Sequence, residues 1–137
     1  MSATEEKIPG SLVREAVDTA TGFFPRLTQA LTIIARDLRE DRLEEGLALF
    51  NTTGDGLKWF CNMVELRGVW MGSGPAGAVV EKDWPSFIDA LAGTAQALGD
   101  RDYVLLSDLL SYEIIPFIGT VLAALQGLRE EPSRHAV

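Results

Sequence analysis

The chain has 137 residues, 47% of them hydrophobic and 23% charged, with a net charge of −8. That suits one globular domain large enough to bury a core, and not a disordered chain. The acidic balance argues against nucleic acid or anionic lipid as a partner, since both need a basic surface.

Residues 1–10 read as a flexible tail, 11–130 as one helical domain and 131–137 as a disordered tail. The opening, MSATEEKIPG, is polar and acidic, unlike a signal peptide. Ser11 is a credible N-cap for a first helix. From there apolar or small residues recur at Val13, Ala16, Ala20, Phe23, Leu27, Ala30, Ile34 and Leu38, in helical steps of three and four. Pro25 leaves the carbonyl of Thr21 without its amide, so a kink is expected, or a short helix followed by a longer one.

The charged run RDLREDRLEE (36–45) marks a turn between antiparallel helices. A second helix over 41–66 carries Leu43, Leu47, Phe50, Gly54, Leu57, Cys61 and Val64. Its stretch NTTGDG (51–56) looks like a loop by composition, but the apolar phase runs through it. One continuous helix is therefore expected, with Gly54 at the close approach of a neighbour. Residues 67–82, RGVWMGSGPAGAVVEK, read as a long irregular connector, with Trp70 and Met71 either folded over the core or exposed. Asp83 then caps a third helix, Pro85 sits in its first turn, and Phe87, Leu91, Thr94 and Leu98 face inward. Gly99 stops it.

The last helix, DYVLLSDLLSYEIIPFIGTVLAALQGLRE (102–130), is apolar around nearly its whole circumference, with Pro116 in its middle. A surface helix needs one apolar stripe, so this one is expected at the centre of the fold or against a partner. Asp108 and Glu113 interrupt it, and no charge-free run of about 18 apolar residues exists to span a membrane. A soluble, cytoplasmic protein is expected. GFFPRLTQALTII (22–34) and EIIPFIGTVLAAL (113–125) also echo each other, either as a pseudo-two-fold pair or as two amphipathic helices agreeing by chance.

Little in the chain points to catalysis. Gly72-Ser73-Gly74-Pro75-Ala76-Gly77 matches G-x-G-x-x-G, but no strand precedes it and no lysine and hydroxyl follow it. The one histidine, His135, lies in the tail, so no metal site is expected. Cys61 is the one cysteine, which excludes an intramolecular disulfide, and it has no histidine to activate it. Trp59, Trp70 and Trp84, with Phe50, Phe60 and Phe87, are assigned to core and interface. Glu113 counts onto a stripe with Leu106, Leu110, Phe117 and Thr120. There it must find a donor, such as Arg14, Arg36 or Lys58, or protonate. Asp108, Tyr112 and Glu113 are thus expected as a polar group in the core, either a buried ion pair that fixes helix register or a polar binding spot.

The stretch 101–117, RDYVLLSDLLSYEIIPF, resembles a pattern in small uncharacterised bacterial proteins, carried here by Asp102, Tyr103, Asp108, Leu109, Leu110, Tyr112, Glu113 and Pro116. The resemblance implies a helical protein without an assigned activity. In size and charge the chain is also similar to flagellar export chaperones, which hold a partner's helix.

The expectation is an all-α antiparallel four-helix bundle, proline-kinked in its first and last helices. It would be no enzyme, bind no cofactor or metal, and act as an interaction or adaptor module. Ile114, Ile115, Ile118, Val121, Leu122 and Leu125 are its expected interface, for a homodimer or a protein partner. Replacing Ile118 with Asp is then expected to dissociate an oligomer without loss of helicity. The alternative is a small-molecule site or weak enzyme around Glu113.

Overall fold

The computed structural model describes residues 10–71 and 75–129. They are helical, with no strand among the described residues. The elements are α1 (Gly10–Arg39), α2 (Leu43–Glu65), α3 (Arg67–Trp70), α4 (Pro75–Gly99), α5 (Tyr103–Leu109), a π-helical turn (Leu110–Ile114) and α6 (Ile115–Arg129). The tails expected at 1–10 and 131–137 lie outside the described residues except for Gly10.

The helix α1 is unbroken, with Pro25 inside it on the exposed side. Its buried stripe is Val17, Ala20, Phe24, Leu27, Leu31, Ile34 and Leu38, again in steps of three and four. Phe24 and Leu31 thus fill the places expected for Phe23 and Ala30, which are half-buried. The NTTGDG stretch of α2 is helical, as its phase predicts. The close approach, however, is not at Gly54, where an added Cβ would meet nothing within 4 Å. It is at Gly56, where a Cβ would lie 2.6 Å from the Phe23 ring.

The expected connector at 67–82 is mostly helical. The helix α4 begins at Pro75, eight residues before Asp83, so Pro85 lies inside it and not in its first turn. Residues 72–74 of the glycine motif lie outside the described residues. Arg67 fastens this crossing. Its guanidinium donates to both carboxylate oxygens of Glu81 (2.7 and 3.0 Å) and to the Val64 carbonyl (2.8 Å), and stands 5.3 Å from the Trp84 ring centroid. The hydrogen bond from Arg67 holds the exposed Glu81 carboxyl below its ordinary range. Trp70 and Met71 fold over the core, and Trp70 Nε1 donates to the Met63 carbonyl at 2.8 Å.

Both longer hairpins use the same turn. Asp41 and Arg101 adopt left-handed backbone (φ 62° and 59°), and the next amide reaches back to the helix, Arg42 to Asp37 and Asp102 to Ala97 (2.8 and 2.9 Å). This is the Schellman closure, with a charged residue where glycine is usual. Gly99 is the last helical residue and Arg101 turns the chain, because the reversal falls two positions later than composition suggests.

The helix α1 packs against α2, α5 and α6, and α4 packs against α5, the π turn and α6. Aromatic rings join α2 to the α4 side. Phe60 lies 4.8 Å from Phe24, 5.6 Å from Phe87 and 6.0 Å from Phe117, and Phe87 stacks on Phe117 at 4.5 Å. By length and composition alone the stretch Tyr103–Gly127 is apolar enough to cross a membrane, and 39% of its apolar window is buried inside this fold.

Candidate interaction surface

The helix α4 buries Val80, Phe87, Ala90, Thr94 and Ala97, and leaves Val79, Ile88 and Leu98 exposed. Its inner stripe is Phe87, Ala90, Thr94 and Ala97, while Leu91 is only half-buried and Leu98 is exposed, against the expectation that both leucines face inward. Small residues face inward where helices approach closely. At Gly93 an added Cβ would lie 3.2 Å from Leu109, so the α5 leucine seats in that notch. The outer side therefore carries Ile88, Ala92, Ala95 and Leu98.

Across the turn α5 continues this outer surface. Leu106 and Ser107 are buried, and Ser107 Oγ donates to the Ala35 carbonyl of α1 at 3.0 Å. That fixes which side of α5 faces the core and turns Val104 and Leu105 outward, at 73% and 44% exposure. On α4 the exposed large apolar residues are Val79 (48%), Ile88 (41%) and Leu98 (37%). Isolated exposed leucines are ordinary, whereas a contiguous apolar patch is an interaction feature. Asp89, Asp100 and Asp102 are exposed along the α4–α5 hairpin, against Arg101.

The expected polar group is not in the core. Asp108, Tyr112 and Glu113 are all exposed, Tyr112 at 70%. The cause is the π turn. Ile115 N–H donates to the Leu110 carbonyl, five residues back, and this extra residue carries Glu113 off the Leu106–Leu110 stripe and puts Ile114 there. Pro116 follows directly. It has no N–H, and its ring would collide with the Tyr112 carbonyl in a regular helix, a clash the widened turn relieves. Two of the three residues do meet, on the surface and around a donor the sequence did not single out. Arg39 Nη2 donates to Ser111 Oγ (2.9 Å), lies 3.6 Å from the Asp108 carboxylate and stands 5.9 Å from the Tyr112 ring centroid.

The expected interface residues also lie elsewhere than anticipated. Ile114, Ile118, Val121 and Leu125 have no exposed surface in the single chain, and Ile115 and Leu122 are packed against the core. Contacts of the π turn and α6 with both α1 and α4 enclose the first four, while Ile115 and Leu122 remain partly exposed.

The whole of α5 and the π turn falls within the span, residues 15–122, that matches the family described as a domain of unknown function, DUF8042. The chain belongs to this family. No curated protein and no solved structure matches it. The DUF8042 span takes in both hairpin turns and stops inside α6.

Within the described residues no three His, Cys, Asp or Glu side chains gather in a way that would hold a metal ion, and every buried side-chain nitrogen or oxygen has a partner. His135 lies outside the described residues. Cys61 is half-buried, and burial, with the Glu65 carboxylate one turn on, pushes its thiol up to about 11. It is protonated at neutral pH, the unreactive form of a thiol.

Proposed function

We propose that this DUF8042 chain is a non-enzymatic adaptor that docks a cationic amphipathic helix of a partner protein on the outer face of its α4–α5 hairpin. The observation that carries this reading is the exposure of Ile88 and Leu98 on α4 and of Val104 and Leu105 on α5. Charge supports the choice of occupant. The face is edged by Asp89, Asp100 and Asp102, and the chain carries a net −8, which steers a basic segment toward it. A second copy would bring the same aspartates against themselves across a two-fold axis. The hairpin turns support an antiparallel four-helix arrangement, with α5, the π turn and α6 acting as one fourth helix.

Light scattering over a wide concentration range tests the choice of occupant. The proposal expects a monomer. A dimer that Leu105→Lys dissociates would instead assign the face to self-association.

A further inference from the structure

We infer that the groove between α1 and α2 at Gly22 binds a flat aromatic anion, its ring against Trp59 and Phe23 and its charge on Arg26. The groove holds about 500 Å³ and is lined by Asp18, Thr19, Gly22, Phe23, Arg26 and Trp59. That volume falls in the range of small-ligand sites, which pair an apolar wall with a few polar groups.

The wall is held in place before any ligand arrives. Phe23 lies over Gly56, where any side chain would collide with its ring. Trp59 stands edge-on to both Phe23 and Phe24, each at 5.8 Å, with interplanar angles of 82° and 66°. Two ring edges therefore fix the indole, and its half-exposed remainder faces the groove. Gly22 makes the floor. It sits in an exposed helical position where a Cβ would meet nothing within 4 Å, so internal packing does not require it. Glycine is a poor helix former, and here its missing side chain leaves the groove open.

The charges set polarity. Arg26, one turn beyond Gly22, is exposed and makes no ion pair or hydrogen bond with a described residue. Asp18, one turn before Gly22, puts a carboxylate about 12 Å from Arg26 along the helix, at the usual rise per residue. An anion at the Arg26 end is attracted. A planar guanidinium suits a carboxylate through paired N–H donors.

The experiment is titration of the full chain with 1-naphthoate, and in parallel with neutral 1-naphthamide, followed by amide and indole NMR shifts. Shifts are expected on residues 18–26 and 56–60 and on the Trp59 indole N–H. Arg26→Gln should weaken naphthoate about fivefold, the size of an exposed charge pair, and leave naphthamide unchanged. Gly22→Leu, which fills the floor, should abolish both. Arg26→Gln alters an exposed side chain that pairs with no described residue, so its result stands even if Gly22→Leu perturbs the helix. Equal naphthoate affinity in Arg26→Gln, shifts centred on α4–α5, or no shift at about 10 mM, weaker than any useful affinity, would overturn the assignment.

Discussion

The two halves of the last helix are alike in composition and opposite in fate. Before the π turn, α5 leaves Val104 and Leu105 in solvent. After it, α6 buries Phe117, Ile118, Val121, Ala124 and Leu125. Apolar content alone did not decide this, because both halves have it. The neighbours did. Both halves lie between α1 and α4, but α6 also meets the aromatic cluster through Phe117, whereas α5 meets those two helices through Ser107 and Leu109. The π turn lets one helix satisfy both settings, because its extra residue moves the buried stripe around the axis.

The largest test of that contrast is Ile118→Asp. Ile118 is enclosed by its own chain, so the substitution should cost roughly 4 kcal/mol or more and unfold the domain, not merely separate subunits. Circular dichroism with urea titration would read this. A soluble, fully helical Ile118→Asp protein would break the comparison. Ser107→Ala should come next. It removes the hydrogen bond that orients α5 on α1, at a cost of about 1 kcal/mol in the same titration. The smallest effect on stability belongs to Val104→Lys with Leu105→Lys, expected within about 0.5 kcal/mol of the parent because both positions are exposed.

Helical periodicity made much of the fold legible. It carried α2 through NTTGDG and located the turn at RDLREDRLEE. It could not see hydrogen-bond register, so Glu113 was counted inward on a ladder that the π turn had already shifted. Nor could it choose between adjacent residues of one type, such as Phe23 and Phe24, or between Gly54 and Gly56, whose difference lies in a ring arriving from α1. That last choice can be tested by calorimetry. Gly54→Ala should stabilise the domain by about 0.5–1 kcal/mol through helix propensity. Gly56→Ala should destabilise it, because displacing the Phe23 ring costs about 1–3 kcal/mol and outweighs that gain. The exposed apolar residues of the hairpin were hidden for a related reason. Composition marks the whole last helix as apolar, and only packing reveals that its second half is spent on the core while Val104 and Leu105 of its first half, with Ile88 and Leu98 of α4, stay exposed.

The central claim is that the α4–α5 outer face takes a cationic amphipathic helix. The measurement that tests it most directly is fluorescence anisotropy of a labelled Leu/Lys amphipathic peptide, titrated at physiological salt with the parent chain and with the Val104→Lys, Leu105→Lys variant. The predicted result is saturable binding to the parent and at least about tenfold weaker binding to the variant, the loss of about 1.4 kcal/mol that two exposed apolar anchors supply. Thermal stability should be the same for both. Equal affinity for the two proteins would place the peptide elsewhere and contradict the account.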